Sequence, residues 1–417
     1  MVKIEQSNND IGYRSFTTFT CIDRLIWLMV FAWLIIDSIT GFFISYGVDM
    51  PLSQLFKLAI LVLTVVRLQH KGVILLLATL IYLSGYLLHI ILINGEFVKP
   101  ILTFSKFLSL VYLYLYFRFS FQYFPQKTIR NAQKALLIAW VVFACNVVLG
   151  LMGYGVSTYG KEEEIDMGVK GFFYSGNELG GIMAVLAPFM FYWIFVRFSG
   201  LKSVIAYVAV IVIGVLVGTK TSILVTVLSA VIVPLLYLST RKRVKLLVVL
   251  AIIIGLTVPY VINIIADSSI GAIERWDYVY NKGGLTQLIY SGRDDFWNMQ
   301  GRLFYDSGFL TQLFGMGGYE KFIERDHLDS MLMFGYLGLI LIVIFFLYLL
   351  IRTFRHRYNN SLMKIVIFSD LLILGIGYMA GHVWFSAMAS VYIALLNGFS
   401  YLRVNGVLFS KFNHTQK

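Results

Sequence analysis

Charge is what this chain has least of. Only 13% of its 417 residues are Asp, Glu, Lys or Arg, about half the share of a soluble domain. No polar segment is long enough to fold as a soluble unit by itself. With 59% hydrophobic residues and a mean hydropathy of +0.79, the balance is that of a polytopic membrane protein. Cysteine is nearly absent: Cys21 precedes the first apolar run and Cys145 lies inside another, so no disulfide framework is implied. Walker, GxGxxG and kinase patterns are missing, which leaves nucleotide binding without support. HExxH, cysteine pairs and DxD-type clusters are missing too, which leaves metal binding weakly supported. Nor does the N-terminus read as a cleavable leader, since about two dozen mixed residues precede a full-length apolar run without a small-residue cleavage site. Acids are also in deficit, 22 against 34 bases, for a net charge of +12. A soluble protein so charged would suggest nucleic acid; here the membrane explains it first.

What is there is a succession of apolar segments. A spanning helix needs roughly 20 mostly apolar residues, and twelve segments qualify: 25–45, 51–69, 72–93, 99–118, 135–153, 178–197, 202–219, 221–240, 244–265, 328–351, 362–380 and 383–403. The fourth to sixth carry Lys106 and Pro188, and the last two are divided only by a Gly-His turn at 381–382. Most of the 34 lysines and arginines fall in alternate connections, from Lys3, Arg14 and Arg24 to Arg403, Lys411 and Lys417, while the acids gather in the opposite set. By the positive-inside rule both termini face the cytoplasm. The expected fold is an all-α polytopic protein, with residues 1–417 forming a single transmembrane domain. Its acidic loop 154–177, with the run Lys161-Glu162-Glu163-Glu164, and its one large loop, 266–327, face outward.

Loops of this length are usually functional or disordered, and Trp276, Tyr278, Tyr280, Phe296, Trp297, Phe304, Phe309, Phe314 and Tyr319 argue against disorder. Within it SGRDDFWNMQGRLFYDSG reads as a short helix. Ser291 and Asp294 give a capping-box-like start. Phe296, Trp297, Met299, Leu303 and Phe304 line one side and Arg293, Asp294, Asp295, Asn298 and Arg302 mostly the other, as in an interfacial helix. The cluster Gly315-Met316-Gly317-Gly318 reads as a flexible turn back to the tenth span.

Several residues at this outer rim invite chemistry. Lys220, in GTKTS, sits in a hairpin between the seventh and eighth spans; it is either a snorkelling lysine or a fixed cation for a lipid-linked anion. Arg293 either pairs with a neighbouring acid or grips phosphate oxygens with its planar fork. Arg302 and Arg275 are similar but have less distinctive surroundings. His327 starts a helix beside carboxylates, so it either bonds a loop carbonyl or serves as a general base. Asp326 and Asp329 could orient it, although Asp326 could equally be the N-cap. His382 shares this face, His89 lies near the outer end of the third span, and His70, His356 and His414 lie among cytoplasmic bases. The membrane-embedded Asp37, Lys57, Lys106 and Asp370 are scattered, which suggests pairing between helices.

Taken together, Lys220 in GTKTS, Arg293 in SGRDDFW, His327 in GMGGYEKFIERDHLDSMLMFGYLG and the earlier GFFYSGNELGGIMAVLAP at 171–188 resemble the O-antigen ligase and Wzy-type polysaccharide polymerase superfamily. The resemblance covers roughly 170–340 by motif and the whole chain by topology. It departs in having Lys220 where arginine is usual, and Leu328-Asp329 after the histidine rather than asparagine. The second departure tilts the reading toward polymerase. The resemblance implies a donor glycan on undecaprenyl pyrophosphate at the outer leaflet, His327 as base, and Arg293 and Lys220 as pyrophosphate clamps. Arg302, Asp326, Asp329, Asn177, Arg275 and His382 become candidates for binding substrate. It implies inverting transfer without metal, nucleotide or other cofactor, and partners among chain-length regulators and flippases, not nucleic acid. Alternatives are a ligase moving glycan to a lipid or protein, a flippase, whose charge should lie near mid-membrane with repeat halves, and a non-catalytic scaffold.

Overall fold

A threonine and an aspartate start the first helix. The computed structural model describes residues 18–158, 168–237, 281, 293–319, 322–356 and 361–402. Thr20 and Asp23 cap α1 (Cys21–Ser45) reciprocally: the Asp23 amide donates to the Thr20 hydroxyl at 3.3 Å and the Thr20 amide to the Asp23 carboxylate at 2.8 Å. Apolar helices follow in short-linked pairs: α2 (Leu52–Leu68), α3 (His70–Leu92), α4 (Val98–Tyr123) and α5 (Pro125–Leu151), the last entered by a proline at its first turn. A two-stranded antiparallel hairpin, β1 (Val156–Ser157) and β2 (Val169–Gly171), bounds the acidic loop. Its Lys161-Glu164 run lies outside the described residues. Then come α6 (Gly176–Arg197), α7 (Leu201–Leu216) and α8 (Lys220–Tyr237). After the large loop's α9 (Arg293–Tyr305) and α10 (Phe309–Phe314) follow α11 (Asp326–Arg355), α12 (Ser361–Met379) and α13 (Ser390–Gly398), with a 3₁₀ turn at Phe399–Tyr401.

Among the described residues eight helices are long and apolar enough to cross a membrane: α1, α3, α4, α5, α6 from Glu178, α8, α11 and α12. The chain is an all-α polytopic membrane protein. Helices α2 and α7, at 17 and 16 residues, coincide with two further sequence segments. The segment 244–265 lies outside the described residues. The twelfth segment, 383–403, differs from a plain span: residues 380–389 are irregular and mostly buried, and α13 has only nine residues. Irregular backbone at membrane depth is tolerated only inside protein, and side-chain oxygens described below take its amides.

Helix α6 is buried along most of its length and packs on α7, α8 and α12. Glycines permit the approach: a Cβ at Gly180 would meet Thr221 of α8, and one at Gly181 would meet Val383. These contacts, and those of the 42–46 turn with Phe172, bring the turns near 46, 96, 172, 218, 318 and 382 to one end of the bundle. The embedded charges pair between helices. Lys57 of α2 meets Asp37 of α1 at 2.6 Å, with Ser53 as a second donor. Asp370 of α12 accepts from the Asn397 amide of α13 at 2.8 Å. Lys106 lies within electrostatic reach of Glu178.

At the opposite end Arg67 of α2 donates its Nε–H to both oxygens of Asp23 at 2.9 Å, and the Tyr116 hydroxyl adds a third bond at 3.2 Å. Both charges are buried, at 3% and 0% exposure. Removing one partner of such a pair costs about 3–5 kcal/mol. Arg67→Met should therefore lower the thermal midpoint in detergent, and adding Asp23→Asn should recover part of the loss. A single variant melting with the wild type would show the pair to be idle.

Helix α11 bends at Gly335, whose φ of 66° and ψ of −171° lie outside any helix. That region is essentially reserved for glycine, and other residues there cost of the order of 1–3 kcal/mol. A Cβ would also strike the Leu313 carbonyl. Gly335→Ala should lower the same melting midpoint; an unchanged midpoint would mean the bend relaxes freely.

Candidate active site

The bend at Gly335 frees helix carbonyls where no water can take them. The loop fills the gap. The Leu332 carbonyl accepts the Met316 amide at 2.7 Å, and the Met333 carbonyl accepts the Tyr86 hydroxyl at 3.1 Å. Residues 315–318 are thus a wedged backbone strand, not the flexible turn expected from their glycines. His89 meets the Gly315 carbonyl at 3.1 Å, and the Gly318 amide donates to the Glu96 carbonyl at 2.6 Å. Cβ atoms at 315, 317 and 318 would collide with Met333 or Glu96, so glycine is needed for close approach.

Helix α9 covers the head of α11. Phe304 is fully buried, and Phe296 and Trp297 pack with it against Ile323, Leu328, Met331 and Leu332. Met299 and Leu303, assigned to the same apolar side by sequence, are 58% and 59% exposed. Ser291, the expected cap, lies outside the described residues.

The head of α11 answers what its carboxylates do. Asp329 accepts the amides of Ile323 at 2.8 Å and Arg325 at 3.1 Å, together with the Tyr319 hydroxyl. Burial, and next the charge of Asp329, push the Tyr319 phenol well above its usual range, so it remains a donor. Asp326 accepts three successive amides, His382 at 2.5 Å, Val383 at 2.9 Å and Trp384 at 2.8 Å. Asp326 is not the N-cap, a position Arg325 holds without a capping hydrogen bond from its side chain. Neither carboxylate bonds the His327 ring. The expected orienting role falls instead to an aromatic: the imidazole stacks on Tyr378, with centroids 4.5 Å apart and planes 11° apart. Arg325 lies over the same tyrosine ring at 5.4 Å and donates its Nε–H to the Tyr378 carbonyl at 3.3 Å. His327 Nδ1 is buried without a hydrogen-bond partner among the described residues.

Arg293, the first described residue of α9, reaches across to Glu324, 31 residues on. Its Nε–H and an Nη2–H donate to one carboxylate oxygen at 3.2 and 2.7 Å. Glu324, in the left-handed region at φ 62°, also stands 4.0 Å from Nε2 of His382. The structure therefore gathers Arg293, Glu324, Asp326, His327, Asp329 and His382 at one corner.

Lys220 is exposed at the first turn of α8, where the Thr219 hydroxyl caps by accepting the Ser222 amide at 3.0 Å. Its hairpin joins the corner by packing: Thr221 on Gly180, Gly181 on Val383, and Val383 on Asp326. Thr158 touches it from the described edge of the acidic loop, its hydroxyl donating to the Val217 carbonyl at 2.7 Å. Nearby Lys170 donates to the Tyr174 carbonyl at 3.0 Å, and burial lowers its ammonium below the usual lysine range. Asn177 lies in the first turn of α6. Arg302 is exposed on α9 and makes no ion pair among the described residues. Arg275 lies outside them. Among the described residues no three of His, Cys, Asp or Glu are grouped to hold a metal ion.

Sequence reasoning missed three participants. Glu324 is one of several charges crowded ahead of His327, and no spacing rule links it to Arg293. Tyr378 is one aromatic among many in an apolar span, with no sequence signal of its own. Glu178, in the first turn of α6, accepts the Ser386 hydroxyl at 2.7 Å and the Met388 amide at 3.2 Å, fastening the irregular 380–389 stretch. An acid inside an apolar helix start was the available signal.

No curated protein and no solved structure matches the chain. Residues 272–405 match the family described as O-antigen ligase like membrane protein. The matched stretch contains Arg275, Arg293, Arg302, Asp326, His327, Asp329 and His382, but not Lys220 or the 171–188 motif. Over that stretch, about a third of the chain, the protein is similar to the O-antigen ligase-like membrane proteins.

Proposed function

We propose that this protein polymerises a bacterial surface polysaccharide, joining glycan from a polyprenyl-pyrophosphate donor to a hydroxyl of a second lipid-linked repeat unit at the outer leaflet. The observation that carries the reading is the Arg293–Glu324 pair, which ties the early-loop arginine to the helix start bearing His327. In the transfer the acceptor oxygen attacks the anomeric carbon as the bond to pyrophosphate breaks, inverting that centre. His327 takes the hydroxyl proton. Tyr378 fixes the plane of its ring, and the unpartnered Nδ1 leaves no carboxylate relay behind it. The leaving pyrophosphate gathers negative charge, which fixed cations stabilise best. Glu324 engages two of the five N–H donors of Arg293, leaving three for phosphate oxygens. Lys220 supplies a point charge from the neighbouring hairpin, less directional than an arginine fork.

A ligase transferring the same donor glycan to a different acceptor is the second reading, favoured by the description of the matching family. The chemistry at the corner is the same. Purified protein incubated with a defined lipid-pyrophosphate repeat unit separates the two. Dimers and longer chains support polymerisation, transfer only to an added foreign acceptor supports ligation, and no transfer to either overturns both.

In that assay His327→Ala should lower the rate by about 10²–10⁴-fold, the usual contribution of a general base, with the protein still folded in the membrane. A normal product ladder would remove His327 from the mechanism. Arg293→Lys should cost about 10-fold or more, because a point charge replaces a planar fork. Full activity would make that arginine structural. Chelators should leave the rate unchanged, and a strict requirement for added divalent metal would give Asp326 and Asp329 a different role.

A further inference from the structure

The end of the bundle remote from the large loop carries a second cationic cluster that the proposed reaction does not use. The ring of Tyr401 receives two guanidinium groups. Arg118 of α4 lies 5.0 Å from the ring centre and Arg352 of α11 lies 4.2 Å from it. The two cations are therefore at most about 9 Å apart. Three phenols close the cluster: the Tyr401 hydroxyl meets those of Tyr114 at 2.9 Å and Tyr348 at 2.6 Å. Neither arginine forms an ion pair among the described residues. The Nε of Arg352 is buried without a hydrogen-bond partner among the described residues.

A simpler account is that both are snorkelling arginines, with Arg352 also offsetting the C-terminal dipole of α11. That account leaves two observations over. Like charges this close repel, more so in a poorly polarisable setting. A buried N–H donor without an acceptor is costly and rare. One anion with several oxygens between the two guanidiniums removes both difficulties. Arg118 lies five residues from the end of α4 and Arg352 three from the end of α11, so the cluster sits where helices leave the bilayer. Basic pockets between transmembrane helices at this depth bind lipid headgroups.

We infer that Arg118, Arg352 and the hydroxyls around Tyr401 form a binding site for the phosphodiester of an anionic membrane lipid, in the leaflet opposite the large loop. The site is independent of the transfer chemistry. The test is native mass spectrometry of the full-length protein, delipidated in detergent and titrated with phosphatidylglycerol. Wild type should hold the lipid at least about 10-fold more tightly than Arg118→Gln/Arg352→Gln and more tightly than it holds phosphatidylcholine. Arg118→Lys/Arg352→Lys should fall between, since lysine keeps the charge without the fork. Equal retention by wild type and the double glutamine variant would overturn the site. So would displacement of the lipid by equimolar inorganic phosphate, which would identify a free-phosphate site, or equal binding of phosphatidylcholine. Where the double variant elutes aggregated, Arg118→Gln alone decides, with a drop of about threefold expected and none overturning the proposal.

Discussion

A membrane interior offers no water to an unpaired amide, and the architecture around His327 follows from that constraint. Two interruptions break the helical pattern at the loop-bearing end: the bend at Gly335 and the irregular stretch 380–389. Each exposes backbone groups that must find partners inside the protein. At the bend the partners are the Met316 amide and the Tyr86 hydroxyl. At the irregular stretch they are carboxylates, Asp326 for residues 382–384 and Glu178 for residue 388. Asp329 does the same for the strand entering α11. The acids crowded beside a hydrophobic helix are thus mainly acceptors for backbone, and they hold rigid the surface on which Arg293 and His327 stand.

Much of this was legible in the sequence, for definable reasons. Long apolar runs betray helices because length and hydropathy are local properties, and α1, α3, α6 and α12 follow their segments closely. Lys220, Arg293 and His327 stood out because each is ionisable and falls on the outer rim that the topology assigns. What was not legible depends on tertiary partners. A cluster of glycines reads equally as a flexible turn or as a strand squeezed between helices, and only Met333 and Glu96 decide it. The run 383–403 is apolar enough to span, yet its first residues are drawn out of helix by Asp326, more than fifty positions away. Asp326 and Asp329 looked like companions of His327 because they adjoin it in sequence. Helix geometry sends neighbouring side chains in different directions.

The same distinction separates the two ends of the bundle. In the loop-bearing half two cations meet carboxylates: Arg293 meets Glu324, and Lys57 meets Asp37. Such pairs fix geometry while leaving donors over, as Arg293 does. At the other end Asp23 neutralises Arg67, but Arg118 and Arg352 rest on an aromatic ring. A ring face attracts a cation without accepting a directed hydrogen bond from each N–H. The Nε–H of Arg352 has no acceptor among the described residues, whereas the donors of Arg293 are oriented by Glu324.

Orientation also sets how the proposed clamp is built. Arg293 is held by an ion pair that crosses the loop, so its position follows that of Glu324 and, through the chain, that of His327. Lys220 has a different anchorage, a hairpin seated on Gly180 and joined to the corner through the Gly181–Val383 contact. Glycine contacts transmit position by close packing, since any added atom would push the helices apart. The place of Lys220 is therefore set through the buried helix α6, and that of Arg293 through its pair with Glu324.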